Sequence, residues 1–273
     1  MEKPRLIASD MDGTLLTESG ELSTRTSRVL ERATKNGVPV VLVTARPPRS
    51  LPGWLTDVSG LNGYVICGNG AMVYEIASGL VCEILGILNP ASMSNIVAAL
   101  EQNLPGVGLA IDPISATDST ALVLELLTEQ HYTHPWPLEI TPKIVTRAEI
   151  ATSSATKLLV RHHTMSSTEM WNIAQPSLCE LANVTFSSDS GMLEISALGV
   201  DKAAGLAKMA NKLRVLPEQV IAFGDMPNDL PMLNWAGHGV AVANAHPDVL
   251  LAAKEITASN NEDGVAQVLE RWF

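Results

Sequence analysis

"LIASDMDGTLLTESGE", residues 6–21, opens as a short apolar run and closes on two carboxylates and a glycine. The run "RLIAS" has no polar alternation, and neither has "VPVVLVT" at residues 38–44. Strands of that kind are buried on both faces and belong to parallel sheets covered by helices. Between them "STRTSRVLERATKNG" (23–37) repeats its apolar residues at helical spacing, which predicts an amphipathic helix with Ser23 as N-cap and Gly37 at its stop. A short helical segment around Leu51–Val58 and a third strand, "GYVICGNG" (63–70), follow.

The C-terminal third resumes this rhythm. Helix "DKAAGLAKMANKLRV" (201–215) leads to strand "QVIAFGD" (219–225), short helix "NDLPMLNWAG" (228–237), strand "HGVAVAN" (238–244) and closing helix "EDGVAQVLERWF" (262–273). The middle is less regular. Helix "NPASMSNIVAALEQN" (89–103), possible strands "VGLAID" (107–112) and "ALVLELL" (121–127), the Pro-rich "HPWPLEITPK" (134–143), strand "ATKLLVRHH" (155–163), a helix over Ser167–Leu181 and "VTFSS" (184–188) suit an antiparallel α+β module. The expected architecture is a doubly wound, mainly parallel α/β core over residues 1–83 and 190–273, interrupted by an inserted α+β cap at 84–189. No internal repeat or low-complexity tract argues otherwise.

Composition narrows the function classes. A net charge of −11 over 273 residues disfavours a protein that grips nucleic-acid backbones, which needs a positive surface. The three cysteines, Cys67, Cys82 and Cys179, have no CxxC spacing, so neither a disulfide framework nor a zinc site is indicated. Asp10 cuts the apolar run a signal peptide would need, and no stretch approaches membrane-spanning length. The expectation is a soluble, cytoplasmic protein without nucleic-acid or membrane partners; its oligomeric state is open.

In an open parallel sheet, ligands gather at the carboxyl ends of the strands, where Asp10, Asp12 and Gly13 stand. A strand-ending DxDG also reads as a tight turn. A calcium loop would put Asp10, Asp12 and Glu21 at its first, third and twelfth positions, but Leu15 stands where that loop requires glycine. Three other strand or helix ends add chemistry. "VLVTAR" offers the Thr44 hydroxyl and the Ala45 N–H to phosphate oxygens. "ALGVDKAAG" puts Lys202 at a helix start, where the dipole does not favour a cation. "FGDMPND" crowds Asp225, Asn228 and Asp229 into one loop.

The ordered set "DMDGTLL", "VTAR", "GVDK" and "GDMPND" resembles the four signature motifs of the haloacid dehalogenase-like hydrolase superfamily, across essentially the whole chain. The place of the insertion and the "GNGA" stretch at Gly68–Ala71 are similar to the Cof-type branch. Ala45 stands where glycine is frequent, and Asp201 precedes the lysine where small or polar residues are common. The resemblance implies a phosphatase in which Asp10 attacks phosphorus and Asp12 serves as acid and then base. Mg2+ would be held by Asp10, the Asp12 carbonyl and Asp225, with Asp229 one shell out. Thr44, Ala45, Lys202 and Asn228 would hold the phosphate. Residue chemistry agrees, because three carboxylates in one pocket need a cation and hard oxygen ligands suit magnesium. The implied substrate is a small phosphorylated metabolite, a sugar or polyol phosphate; a phosphomutase or a non-catalytic phosphometabolite-binding regulator is the alternative. The six histidines share no ligand spacing. Arg46 and Asn69, near the pocket mouth, either meet substrate or brace the cap.

Overall fold

The computed structural model describes residues 2–56, 61, 63–114, 125–138 and 140–273. Two sheets organise it. The first contains β1 (Leu6–Ser9), β2 (Val40–Val43), β3 (Tyr64–Cys67), β4 (Met72–Glu75) and β5 (Leu80–Ile84). The second is built from β6 (Gly108–Pro113), β7 (Leu127–Thr128), β8 (Lys143–Ile144), β9 (Ala155–Arg161), β10 (Ala182–Thr185) and β11 (Met192–Ala197). The chain then returns to the first sheet with β12 (Val220–Gly224), β13 (His238–Ala241) and β14 (Glu255–Ile256).

The first sheet runs β14-β13-β12-β1-β2-β3-β4-β5, parallel from β14 to β3 and antiparallel at β4 and β5. Every residue of β1, β2 and β12 is buried, as two-sided coverage demands. Helix α1 (Thr24–Lys35) contributes Val29, Leu30 and Ala33 to this core, and the Ser23 hydroxyl caps it by accepting from the Thr26 N–H. The order matters because β12, β1, β2 and β3 are neighbours. Their carboxyl ends, carrying Asp225, Asp10, Thr44 and Asn69, therefore come together although 215 residues separate the outermost pair in sequence.

The second sheet runs β10-β11-β9-β6-β7-β8 and is antiparallel except between β7 and β8. Helices α2 (Pro90–Asn103), α3 (Arg147–Ala151) and α4 (Ser167–Leu178) cover one face, packing Met93, Ile96, Ile150, Met170 and Ala174 on Leu158, Val160, Leu193 and Ile195. Side chains alternate across a strand, so Lys157 and Leu159 of β9, Met192 and Glu194 of β11, and Ala110 and Asp112 of β6 share the other face. That face looks onto the end of the first sheet where the motifs meet.

One boundary shifts from the sequence reading. The core was expected to resume at residue 190, yet β11 pairs with β9 and β10, and so belongs to the second sheet. The return falls after Ala197, at Gly199 with φ 79°. Gly191, beside the expected boundary, also has positive φ, but there it turns the chain within the second sheet. The expected Leu51–Val58 helix is reduced to single turns at Pro48–Ser50 and Gly53–Thr56, its end lying outside the described residues, as do positions 121–124 of the "ALVLELL" strand.

Candidate active site

After β1 the chain turns sharply through Met11–Leu15. Gly13 has φ 78°, and a Cβ there would lie 2.5 Å from Asp225 Oδ2, so the glycine both turns the chain and admits the carboxylate. Thr14 Oγ1 donates to Asp225 Oδ1 at 2.6 Å, tying the first motif to the last. On the neighbouring strand Thr44 is fully buried; its N–H donates to Ile66 O, and its Oγ1 accepts from the Arg46 N–H at 3.0 Å.

Helix α5 (Lys202–Leu213) starts with the Asp201 side chain accepting from the Ala204 N–H, which gives the unusual aspartate a capping role. Lys202 begins that helix fully buried, its Nζ donating to Asp10 Oδ1 at 2.5 Å and Asp229 Oδ1 at 2.6 Å. Burial opposes the ammonium charge, but the two carboxylates outweigh it and hold its pKa above the usual lysine range. Asp229 uses its other oxygen to accept the N–H groups of Asp225 and Met226, both at 3.0 Å. It braces the loop and the lysine together.

Negative charge nevertheless predominates. Carboxylate oxygens of Asp10, Asp225 and Asp229 lie within 4.8 Å of one another, all buried, against one ammonium. Burial, opposed by Lys202, raises the Asp10 pKa well above the usual carboxylate range; burial and then Asp229 push Asp225 up to about 7. A hard divalent cation among these oxygens would relieve both, so the buried cluster fits a metal site that Asp10, Asp225 and Asp229 could hold.

Asp10, Asp12, Ala45 and Asn228 line a cavity of about 480 Å³ whose roof is the second sheet, with Lys157, Leu159, Met192 and Glu194. The motif residues are thus brought into one place: Lys202 and Asp229 touch Asp10 or its partners from below, and Asp225 sits beside the turn. A family model described as a haloacid dehalogenase-like hydrolase matches residues 7–269.

The chain belongs to the haloacid dehalogenase-like hydrolases. It is similar along 98% of its length to the 5-amino-6-(5-phospho-D-ribitylamino)uracil phosphatase YcsE of Bacillus subtilis, 30% identical over 276 residues and 95% of that protein. A Yersinia enterocolitica HMP-PP phosphatase is 28% identical over 274 residues, covering 98% of this chain and 95% of the relative. Among solved structures, a haloacid dehalogenase-like hydrolase from Bacteroides thetaiotaomicron superimposes with a TM-score of 0.71 at 26% identity, over 99% of this chain and all of that one. These relatives put the chain among capped phosphatases of the Cof type. Among the described residues, no helix is long and apolar enough to cross a membrane.

In this hydrolase further polar residues reach the site, from the core loop after β2 and from the cap sheet. Arg46 donates from Nε and Nη2 to the two Asp12 oxygens at 2.7 and 2.6 Å, and Arg49 reaches Asp112 on β6 at 2.5 Å. Lys157 Nζ donates to Ala45 O at 2.7 Å and Glu194 Oε2 at 3.0 Å, and Asn69 Nδ2 donates to the same Glu194 oxygen at 2.8 Å. The signal existed: Lys157 in "ATKLLV" and Glu194 in "MLEISA" are charges inside apolar strands, and such charges are rarely buried without a partner. Of the two mouth residues, Arg46 holds an acid and Asn69 bridges core to cap.

Proposed function

We propose that the chain is a magnesium-dependent phosphatase that hydrolyses a small phosphorylated metabolite, a sugar or polyol phosphate, through an aspartyl-phosphate on Asp10. The observation that carries this reading is the setting of Asp10: one oxygen is held by Lys202, and the residue lines the same cavity as Asp12. In the first step an Asp10 oxygen bonds to phosphorus while the ester oxygen departs, taking the proton of Asp12. In the second, Asp12 removes a proton from the water that attacks phosphorus, breaking the Asp10–phosphorus linkage and releasing phosphate. Thr44, the Ala45 N–H, Lys202 and Asn228 hold the phosphoryl oxygens, and bound magnesium would supply countercharge for the carboxylates and the phosphoryl group.

The cap roof limits the substrate to a small molecule, and the phosphorylated ribityl chain named for the Bacillus relative supports a polyol ester. Asp12 speaks against a mere binding regulator, since binding needs no acid two residues from a nucleophile. Three free cysteines, two of them exposed, agree with a reducing cytoplasm. Phosphate release from para-nitrophenyl phosphate with magnesium, followed by a panel of sugar, polyol and heterocyclic phosphates, tests the reading. No release would sink it, and isomer formation without release would point to a mutase.

A further inference from the structure

Glu194 lies on the cap, nearly fully buried, outside the four motifs, and is surrounded by donors. Its Oε2 accepts from Asn69 Nδ2 and Lys157 Nζ, and its Oε1 from the Ser187 hydroxyl. The ion pair with Lys157 is dry, the two side chains being 2% and 5% exposed. Asn69 sits in a left-handed conformation, φ 55°, at the end of β3, and passes the interaction on: its Oδ1 accepts from Asn228 Nδ2 at 3.0 Å. Asn228 is buried and lines the cavity, and its Oδ1 has no partner among the described residues.

An amide can present either its oxygen or its nitrogen to a neighbour, whereas an ionised carboxylate only accepts. Facing Glu194, Asn69 must turn its nitrogen toward the carboxylate and its oxygen toward Asn228. Facing that oxygen, Asn228 must in turn present its nitrogen. We propose that Glu194 is a positioning residue of the catalytic site: its charge fixes two amides in series, so that Asn228 keeps its nitrogen toward Asn69 and leaves that nitrogen's second hydrogen to donate to a phosphoryl oxygen. Lys157 completes the device by donating to the Glu194 carboxylate at 3.0 Å and to the carbonyl of Ala45 at 2.7 Å, the residue whose N–H belongs to the phosphate-binding set. The core's phosphate pocket is therefore finished by the cap, even for a substrate too small to touch the cap. This rests on the phosphatase reading for its kinetic consequence, though not for its binding consequence.

The test compares wild type, Glu194→Gln and the charge-balanced Lys157→Met/Glu194→Gln. Each is followed by thermal melting, by steady-state hydrolysis of para-nitrophenyl phosphate, and by calorimetric titration of inorganic phosphate in magnesium buffer. Glutamine is isosteric but can donate as well as accept, so both amides regain two orientations. The expected result is a fall in kcat and in phosphate affinity of about tenfold or more, the scale of lost outer-layer support. The loss should persist in the double variant, in which no buried charge is left unpaired. Wild-type kcat and phosphate affinity in Glu194→Gln would overturn the proposal, as would their recovery in the double variant, which would leave charge balance as the pair's whole role. If Glu194→Gln fails to fold, the double variant is compared with Lys157→Met/Glu194→Met, which lacks the same Ala45 contact; equal phosphate affinity at the wild-type level in both would overturn the proposal. If wild type releases no phosphate from any ester, the phosphatase reading fails, and the phosphate titration still decides the role of Glu194.

Discussion

The Arg46 guanidinium grips both carboxylate oxygens of Asp12, through Nε at 2.7 Å and Nη2 at 2.6 Å, across 34 residues of sequence. Such a fork fixes the plane of the carboxylate as well as its place. The fork holds the ionised form, which is the form that takes the proton of the attacking water, and Arg46 is itself steadied by donating to Ser50 O at 2.9 Å.

Removing that fork should therefore harm turnover more than binding. Arg46→Ala is expected to lower kcat for para-nitrophenyl phosphate by about tenfold, a fraction of what general acid catalysis supplies, with a smaller change in KM. Arg46→Lys should recover little, because an ammonium cannot span two oxygens. Steady-state kinetics at saturating magnesium checks this, and an unchanged kcat in Arg46→Ala would remove Arg46 from any role in holding the acid.

Asp10→Asn should abolish turnover, by about a thousandfold or more, because an amide oxygen is not a nucleophile. The fold should survive. Lys202 keeps Asp229 as its counterion, and the change deletes one buried negative charge from a cluster of three. In metal-free buffer the melting temperature is expected to hold or rise. A variant with a tenth of wild-type activity would end the case for covalent catalysis at Asp10.

Magnesium binding should release protons. With the Asp225 carboxyl raised to about 7 by burial and by Asp229, the metal-free site carries a proton there in mildly acidic solution, and the cation must displace it. Affinity is thus expected to fall on acidification below about pH 7, by up to about tenfold per pH unit, and to level off above it. Calorimetry in buffers of different ionisation enthalpy counts the protons. Chelation should stop turnover, magnesium should restore it, and calcium should restore it poorly because its looser coordination misplaces the nucleophile.

His134 supplies a stability test. Burial, then Lys157, lowers its pKa from 6.5 to about 4, with Asp112 opposing and Arg161 and Arg49 adding to the shift. The unfolded chain therefore binds the extra proton between about pH 4 and 6.5, and stability is expected to decline as pH falls through that window and to be complete above it. His134→Gln should flatten this part of the melting-temperature profile. An unaltered slope would mean that other groups cause it.

The core was legible because its strands are uniformly apolar, and parallel topology turns four strand ends distant in sequence into neighbours. Asp10, Thr44 and Asp225 could be placed together on that ground alone. The cap was less legible for a physical reason: one face of its sheet is a hydrophobic core while the other carries Asp112, Lys157 and Glu194 among Ala110, Leu159 and Met192, so strand and partner cannot be paired without the register. Strand β11 shows the same difficulty, since either Gly191 or Gly199 reads as a break and only hydrogen bonding decides between them. Asn69 could be placed at the pocket mouth with two roles open, but not given its partners, because the residues it joins lie 125 and 159 positions away.

Helix α5 stands directly on the Gly68–Gly70 turn: a Cβ on Gly70 would overlap the Asp201 carbonyl, and one on Gly205 would lie 2.6 Å from the Ile66 side chain. Lys202 is the next residue after Asp201, so the ammonium's reach to Asp10 is gauged by two positions that carry no functional group at all. Bulk added at either would act as a shim, lifting the helix and drawing the cation away from the nucleophile while every reactive side chain remained in the sequence. Searches for inactive descendants of this enzyme that inspect only its aspartates and lysine would pass such chains as intact.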